Sequence, residues 1–281
     1  MYFIVGANGQ LGRELANLLT EREIPFIAAT SSELDITDFT EVSRVLKDAK
    51  PSAIFDAAAY TKVDLAEDEG KQQNWLVNAE GTKNLAVVAD ELQIPVVYVS
   101  TDYVFSGTKN EGYTEEDLTS PINEYGRSKL EGEQFILQSK ANYVVRTSWV
   151  YGQFGNNFVK TMKKLAQTKD TLSVVNDQFG RPTWTKTLAE FMIYLLTNDV
   201  ATGIYNLSNS GEKTTWYGFA SEILKNEQVK LVPVNSEEFK TKAARPHNSL
   251  FDLGKAESTG YEILDWKVAL SEYMKLTEIE Q

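Results

Sequence analysis

The stretch "YFIVGANGQLGRELANLL", residues 2–19, joins a short apolar run to a segment with regularly spaced leucines through a turn that contains glycines. The run "YFIV" (2–5) is short and apolar, which predicts a buried strand. The leucines that follow recur at helical spacing and predict an amphipathic helix over residues 10–22. A strand that leads through a glycine turn into a helix is the first half of a βαβ unit.

Gly6, Gly9 and Gly12 occupy this turn. Glycine lets the backbone turn tightly and approach a pyrophosphate, which the free N–H groups at the helix N-terminus then stabilise. The spacing is G-x-x-G-x-x-G instead of G-x-G-x-x-G, and such a triplet also occurs in plain strand–helix turns. Its position directly after the first strand favours a dinucleotide-binding turn.

Strand and helix signals continue to alternate through the first half of the chain. Apolar strands separated by helices predict a parallel sheet covered on both faces, and right-handed crossovers make it an α/β, doubly wound, Rossmann-like fold. We assign residues 1–150 to this NADP(H)-binding domain. Its further predicted elements are strands 25–30, 52–59, 94–101 and 143–149, and helices 37–48, 72–92 and one from about 124.

The alternation loosens after residue 150. We interpret residues 151–281 mainly as a smaller C-terminal substrate-binding cap over the carboxyl ends of the strands, with some segments returning to the main sheet. No Gly/Ser/Pro linker separates the two parts, so we expect them to pack tightly. The predicted elements are helices 156–168, 186–197 and 215–226, and strands 172–175, 203–208 and 229–234.

Composition excludes several classes of function. The 281 residues include 40 acidic and 28 basic ones, giving a net charge of −12, which disfavours nucleic acid and anionic membranes as partners. The chain has no cysteine, which excludes disulfides and thiolate chemistry and fits the cytoplasm. We expect no signal or transit peptide, because the first strand begins at once.

The end of the second predicted strand, "ATSSELD" (29–35), bears on the choice of cofactor. Ser31 and Ser32 stand where a carboxylate would bind the ribose 2′-OH of NADH. With hydroxyls there and no acidic side chain, NADPH is favoured over NADH, which stays an alternative. Asp35 and Ile36 are placed to reach the adenine edge, although Asp35 also suits a helix cap.

A threonine and a Tyr-x-x-x-Lys pair carry the candidate chemistry. Thr101 ends the fourth strand, at the edge where open α/β sheets bind ligands, although threonine there also forms turns. Tyr125 and Lys129 lie one helical turn apart. A phenol with a pKa near ~10 is a weak acid at neutral pH, and we expect the neighbouring ammonium to lower that pKa. The alternative is an exposed surface pair.

Together these features resemble the extended short-chain dehydrogenase/reductase superfamily, and more finely its dTDP-4-dehydrorhamnose reductase family. The resemblance runs from residue 1 to about 270. The matching blocks are "GANGQLG" (6–12), "DAAAYTKVDLAE" (56–67), "STDYVFSG" (100–107), "YGRSKLEGE" (125–133), "RTSWVYG" (146–152), "DQFGRPT" (177–183) and "ARPHNS" (244–249).

The resemblance implies a reaction. NADPH would deliver hydride to the C4 ketone of dTDP-4-dehydro-β-L-rhamnose, forming dTDP-L-rhamnose for cell-wall polysaccharide synthesis. Tyr125 would donate the proton, Lys129 would tune Tyr125 and hold the nicotinamide ribose, and Thr101 would bind the sugar oxygen. The partner is therefore a dTDP-sugar, and the chain would act as a monomer or homodimer.

The resemblance also implies two sets of binding residues. Core packing is an equal alternative for Val104 and Phe105, and a surface salt bridge competes with diphosphate binding for each arginine. The cofactor set is Gly6, Asn8, Gly9, Gln10, Leu11, Gly12, Ser31, Ser32, Asp35, Ile36, Ala57, Ala58, Ala59, Tyr60, Tyr125 and Lys129. The substrate set is Val63, Thr101, Tyr103, Val104, Phe105, Trp149, Asn157, Arg181 and Arg245.

Some members of this family carry Mg²⁺ between subunits, held by glutamates. Glu14, Glu190 and Glu272 fall in comparable regions, but a glutamate on a helix surface is usually only solvated, so we assign no metal-binding residue and leave Mg²⁺ as an open alternative.

Other activities on this fold require other residues. Sugar-nucleotide dehydratases carry Asp-Glu after the threonine, whereas Tyr103 follows Asp102 here. A combined epimerase–reductase commonly uses a Cys/His pair, and the chain has no cysteine. A non-catalytic, NADP-binding regulatory subunit remains the alternative, although it would tolerate loss of the tyrosine or lysine that this chain keeps.

Overall fold

The computed structural model describes residues 1–139 and 141–279. Within these ranges, every helix is too short or too polar to cross a lipid bilayer. The strands are β1 (Tyr2–Val5), β2 (Phe26–Ala29), β3 (Ala53–Asp56), β4 (Val96–Thr101), β5 (Tyr143–Thr147), β6 (Val150–Tyr151), β7 (Thr171–Val175), β8 (Phe179–Gly180), β9 (Thr183–Trp184), β10 (Gly203–Leu207), β11 (Thr214–Thr215) and β12 (Lys230–Val234). The α-helices are α1 (Gln10–Glu21), α2 (Phe39–Ala49), α3 (Lys71–Trp75), α4 (Thr82–Leu92), α5 (Glu124–Ile136), α6 (Phe158–Ala166), α7 (Thr185–Thr197), α8 (Trp216–Ile223), α9 (Gly254–Ser258) and α10 (Trp266–Ile279).

The main sheet has six parallel strands in the order β10-β5-β4-β3-β1-β2. The doubly wound parallel fold is therefore confirmed. The strand order reverses between β1 and β3, where the carboxyl ends of an open α/β sheet form a crevice for ligands. A segment from beyond residue 150 completes the sheet, because Tyr205 of β10 pairs with Val145 of β5.

Alternate residues of β1 explain why this strand is apolar throughout. Ile4 packs into a core with Leu15 of α1 and Phe191 of α7. Phe3 points to the opposite face and packs with Val42 of α2. Because successive side chains of a strand point to opposite faces, a sheet with helices on both sides needs an uninterrupted apolar strand.

The cap has its own aromatic core. It is built from the parallel pair β7 and β12 together with α6, α8 and α10. Phe219 of α8 stands edge-on to Trp266 of α10, with ring centroids 5.9 Å apart. The sequence patterns did not predict α9 and α10, whose apolar positions complete this core and that of the sheet.

The helix predicted over residues 72–92 is interrupted. A π-helical turn, Leu76–Gly81, separates α3 from α4. Buried Asn78 lies in this turn, where it accepts a hydrogen bond from Tyr60 N (2.8 Å) and donates one to Tyr60 O (3.1 Å). The wider turn thus holds the loop that follows β3, and π-helical turns commonly occur at functional sites.

Candidate active site

A crevice of about 340 Å³ opens at the carboxyl ends of β1 and β3, at the reversal of strand order. It contains ten of the sixteen residues that the sequence assigned to the cofactor. Its walls are formed by Val5, Gly6, Asn8, Gly9, Ser31, Leu34, Asp35, Ile36, Ala57, Ala58, Ala59, Tyr60, Gln73 and Val77.

Two glycines are required by the close packing of this turn. Gly6 has φ +76°, and a Cβ there would lie 2.6 Å from Ala58 N. A Cβ on Gly12 would collide with the carbonyl oxygen of Gly6. Helix α1 begins after Gly9 without a side-chain cap, so its first N–H groups are free for an anion. The turn therefore suits a dinucleotide diphosphate.

Six residues of the predicted cofactor set do not line the crevice: Gln10, Leu11, Gly12, Ser32, Tyr125 and Lys129. Leu11 is buried in the core between α1 and the sheet. Gln10 accepts a hydrogen bond from Asn157 at 3.3 Å and so joins α1 to the cap. Sequence reasoning missed four lining residues, which are Val5 at the end of β1, Leu34 in the β2–α2 loop, and Gln73 and Val77 on the irregular helix.

An acidic side chain, Glu33, follows the two serines at the end of β2. Glu33 accepts hydrogen bonds from the backbone N (2.9 Å) and the hydroxyl (2.7 Å) of Thr30. These bonds lower the pKa of Glu33, so its carboxylate is ionised at neutral pH. Glu33 is exposed and is not among the residues that line the crevice. Asp35 lines the crevice and accepts hydrogen bonds from Thr37, whereas Asp38 caps α2, and the contact of Asp35 with adenine stays a prediction.

The Tyr-x-x-x-Lys pair lies at the start of α5. Asn123 caps this helix by accepting a hydrogen bond from Gly126 N at 2.7 Å, and it also donates to Ala244 O at 2.8 Å. The Tyr125 ring is half-buried and meets Tyr103 edge-on, with centroids 5.9 Å apart. Its phenol lies within hydrogen-bonding reach of the Thr101 side chain. The structure therefore brings Thr101 and Tyr125 together, and Lys129 lies one turn further along the same helix.

The pKa of Tyr125 differs from the expectation. Burial raises this pKa, the charge of Asp102 raises it further, and only the hydrogen bond with Thr101 opposes the two. The predicted lowering by Lys129 is absent because its ammonium lies over the ring of Tyr98, 4.0 Å from the centroid. At neutral pH Tyr125 therefore keeps its proton, which is the form that a proton donor needs.

Lys129 is itself buried, with 2% of its surface exposed. Burial lowers its pKa to about 8, while the charges of Asp56 and Glu133 act in the opposite direction. Because the value lies above neutral pH, the ammonium is charged at pH 7. It can therefore donate to ribose hydroxyls, and its interaction with Asp56 places it near the end of β3, where the crevice opens.

Several predicted substrate residues have structural partners instead. The side chains of Val104 and Phe105 are fully buried in a small core, where Phe105 stacks on Tyr113 at 4.3 Å. Asn157 caps α6 by accepting from Lys160 N, and it donates to Gly152 O. Arg181 donates to the carbonyls of Gly211 and Phe251. These four side chains therefore pack in a core, cap a helix or donate hydrogen bonds to loop carbonyls.

Arg181 lines neither the crevice nor the larger cavity of the cap, and its assignment to the diphosphate stays a prediction. Val63 is half-buried in the loop after β3, with its N–H bonded to Thr61 O at 3.0 Å. Trp149 has φ +49° and stacks on Trp216, with ring centroids 3.9 Å apart.

A second, larger cavity of about 590 Å³ lies in the cap. Aromatic rings and two cations face it, and Arg245 is the only member of the predicted substrate set among its lining residues. These are Phe158, Met162, Ser173, Val174, Val175, Gln178, Trp216, Ser236, Phe239, Lys240, Thr241, Ala243, Ala244 and Arg245.

Arg245 connects the cap cavity to the catalytic residues. Its guanidinium pairs with Asp64 at 2.9 Å, which agrees with the salt-bridge alternative, and it also hydrogen-bonds Tyr103. Tyr103 in turn packs against Tyr125. One end of the cap cavity therefore lies two side chains from the phenol.

The three glutamates considered for Mg²⁺ do not form a site within one chain. Glu14 accepts a hydrogen bond from Thr185 at 2.8 Å, and Glu190 pairs with Arg22 at 3.6 Å. Glu272 is exposed on α10. Among residues 1–139 and 141–279, no three acidic, histidine or cysteine side chains converge closely enough to hold a metal ion.

Comparison with known proteins identifies a family over the whole length. The family model described as RmlD substrate binding domain matches residues 1–279. A dTDP-4-dehydrorhamnose reductase of Aggregatibacter actinomycetemcomitans is 41% identical over 284 aligned positions, covering 95% of this chain and 96% of the relative.

Solved structures agree in fold and sequence. A dTDP-4-dehydrorhamnose reductase from Clostridium acetobutylicum superposes with a TM-score of 0.95 at 39% identity, covering 99% of each chain. The dTDP-4-dehydrorhamnose reductase of Bacillus anthracis, solved in complex with NADP, gives a TM-score of 0.93 at 40% identity and covers 100% of this chain and 99% of its own.

Proposed function

This chain belongs to the RmlD substrate binding domain family, and on that premise we propose that it reduces the C4 ketone of dTDP-4-dehydro-β-L-rhamnose to the alcohol of dTDP-L-rhamnose. The enzyme is an NAD(P)H-dependent oxidoreductase, and its product enters L-rhamnose biosynthesis. We propose a cytoplasmic monomer or homodimer.

One observation carries the proposal. A continuous path of side chains joins the cap cavity, through Arg245 and Tyr103, to the phenol of Tyr125. A nucleotide sugar has the matching shape, because a flat base and two phosphates are attached to the sugar that reacts. Its nucleotide would occupy the cap cavity while its ketone meets Tyr125.

The cap cavity supplies groups suited to that nucleotide. Trp216 is held by its stack on Trp149 and presents an aromatic wall for the base. Lys240 and Arg245 supply positive charge for the diphosphate, and the guanidinium can bind two phosphate oxygens at once. This assigns to Arg245 and Lys240 the role that the sequence gave to two arginines.

Bound NADPH supplies the hydride for C4 of the sugar. Tyr125 gives its proton to the ketone oxygen as negative charge develops there, and Thr101 donates a hydrogen bond to the same region. Lys129 holds the ribose hydroxyls of the cofactor through its charged ammonium. The protein thus orients the two reactants and supplies one proton per turnover.

We propose NADPH as the preferred cofactor. The related enzyme of Bacillus anthracis binds NADP, and Ser31 lines the crevice here with a hydroxyl that can donate to a 2′-phosphate. Glu33 opposes this preference through its charge, but Thr30 engages its carboxylate with two hydrogen bonds. The preference should therefore be real but modest.

Turnover by the purified chain tests the proposal. Wild-type protein and Tyr125→Phe are given NADPH or NADH together with dTDP-4-dehydro-β-L-rhamnose, and cofactor oxidation is followed by absorbance. We expect oxidation by wild type alone, faster with NADPH. Binding of NADPH without any turnover would overturn the proposal and favour the regulatory-subunit alternative. The unepimerised 4-dehydro-6-deoxy-D-glucose nucleotide, tested in parallel, defines the sugar specificity.

A further inference from the structure

Asp102 is a buried acid that the reaction described above does not use. It follows Thr101 at the end of β4, and 4% of its surface is exposed. Thr101 Oγ1 donates to Asp102 Oδ1 at 3.1 Å, and Ser249 Oγ donates to Asp102 Oδ2. Both carboxylate oxygens are therefore engaged by hydroxyl groups, and one of these belongs to the catalytic centre.

The hydroxyl of Thr101 has one hydrogen and two acceptor positions. Tyr103 N–H donates to its oxygen at 3.2 Å, which uses the first acceptor position. While Asp102 is ionised, the hydrogen of Thr101 points to that carboxylate. That hydrogen is then not available to the phenol of Tyr125, which lies within hydrogen-bonding reach of Thr101.

Protonation of Asp102 reverses these hydrogen bonds. A carboxylic acid has an O–H that donates to Thr101 Oγ1 and so releases the hydrogen of Thr101. That hydrogen can then point to the oxygen of Tyr125 or to the ketone. A donor aimed at the phenol oxygen stabilises the phenolate that forms as the proton leaves, and so makes Tyr125 a stronger acid.

We propose that Asp102, held in place by Ser249, is a positioning residue whose protonated form turns the Thr101 hydroxyl toward the reacting oxygens. The inference rests on the proposed reduction, in which Thr101 and Tyr125 meet the ketone. It adds that the active enzyme carries a proton on Asp102 in addition to the one that Tyr125 donates. The proton on Asp102 is not transferred and stays there throughout the turnover.

The surroundings of Asp102 bring its pKa close to neutral pH. Burial raises its pKa to about 7, opposed by the hydrogen bonds from Ser249 and Thr101. The titratable side chains facing it are the phenols of Tyr103 and Tyr125, and the Arg245–Asp64 pair lies beyond Tyr103. Both protonation states of Asp102 are thus populated near neutral pH.

Ser249 connects this acid to substrate binding. It lies four residues after Arg245, in the segment that runs from the cap cavity back to the sheet. Its backbone N–H donates to Phe179 O at 2.7 Å, which holds the segment in place. Because its hydroxyl stabilises the ionised form of Asp102, removal of that hydroxyl should raise the pKa of Asp102.

The pH dependence of kcat/KM with NADPH and the dehydrorhamnose nucleotide tests the proposal. Asp102→Asn is isosteric, and its amide permanently donates to Thr101 while its oxygen accepts from Ser249. Relative to wild type, the activity of this variant should rise about five- to ten-fold between pH 6 and pH 8, because wild type loses the protonated acid over that range. A constant ratio would overturn the proposal. Asp170→Asn, which replaces an exposed carboxylate, should keep a constant ratio.

A second measurement does not depend on turnover. The infrared C=O band of protonated Asp102, identified by its loss in Asp102→Asn, should disappear with a midpoint near pH 7 in wild type. The midpoint should move to higher pH in Ser249→Ala. A carboxyl that is already ionised at pH 5 would overturn the inference. If wild type shows this titration but reduces no substrate, the proposed reaction fails and the protonation of Asp102 stands.

Discussion

The cofactor crevice and the cap cavity are built from different kinds of atoms. The crevice is formed by main chain and small or apolar side chains from residues 5 to 77, with glycine and alanine where the backbone must come close. The cap cavity has three aromatic rings and two cations among the aliphatic and polar side chains that line it, and these come from separate segments between residues 158 and 245. We therefore expect the crevice to lose affinity for its ligand when a Cβ is added, and the cap cavity to lose affinity when a side chain is removed.

Tyr125 lines neither region, so its loss should affect chemistry and leave both binding sites intact. We expect Tyr125→Phe to lower kcat by about 10²-fold or more, because the general acid is gone while the ring remains. Affinities for NADPH and dTDP, measured by calorimetry, should stay within about two-fold. Tyr217→Phe, on cap helix α8, is the matched control and should turn over normally.

Gly12→Ala should disable the crevice alone. The added methyl group would collide with the carbonyl of Gly6 and push the turn away from the loop after β3. Overpacking of about 2 kcal/mol corresponds to a loss of NADPH affinity of about 30-fold. The affinity for dTDP is the internal control and should not change. Equal losses at both sites would show that the two regions are not separable.

Trp216→Ala should disable the cap cavity alone. Removing a stacking partner of a base costs about 1–3 kcal/mol, so we expect the affinity for dTDP to fall about ten-fold or somewhat more. NADPH affinity should be unchanged. The affinity of Trp216→Phe for dTDP should lie between those of wild type and Trp216→Ala. If calorimetry shows wild-type binding of dTDP to Trp216→Ala, the base does not stack in this cavity.

The pH dependence of NADPH affinity should follow the loss of the positive charge on Lys129. Its pKa is lowered to about 8, so the charged form that holds the ribose dominates below this value and is lost above it. NADPH affinity should therefore fall by up to about ten-fold from pH 7 to pH 9. Lys129→Met should bind weakly at every pH in this range. A pH-independent wild type would mean that the ammonium does not contact the cofactor.

Glu33→Gln should have the smallest effect. Removing one exposed charge at the end of β2 should raise the preference for NADPH over NADH about three-fold, and this gain should shrink as salt increases. The ratio of kcat/KM for the two cofactors measures it. A shift toward NADH would indicate that Glu33 supports the 2′-phosphate site.

The same contrast explains what the sequence could predict. The glycine turn, the strand-end Thr101 and the Tyr125/Lys129 pair depend on local spacing, and the structure places them on the elements that the sequence predicted. Trp216 and Lys240 are brought together only by the packing of the cap, so no short pattern indicated them. Arg181 and Asn157 fit the expected motifs, but nearby backbone carbonyls and helix α6 take their hydrogen bonds.

The remaining misses involve burial and unusual backbone geometry. Lys129 was expected to lower the pKa of Tyr125, but the sequence does not reveal that its ammonium lies over Tyr98. The π-helical turn depends on Asn78 reaching Tyr60, eighteen positions earlier in the chain. Glu33 stood next to the serines, and its turn back to Thr30 was not considered.

Transfer of deuterium from cofactor to sugar tests the proposed reaction at the bond that forms. Wild-type protein is incubated with NADPH deuterated at the transferable C4 position and with dTDP-4-dehydro-β-L-rhamnose, and the product is examined by NMR. We predict deuterium at C4 of the rhamnose and none in a parallel incubation with Tyr125→Phe stopped within the first wild-type turnovers. Deuterium at another carbon, or equal transfer by Tyr125→Phe, would contradict hydride delivery to C4 with Tyr125 as the proton donor.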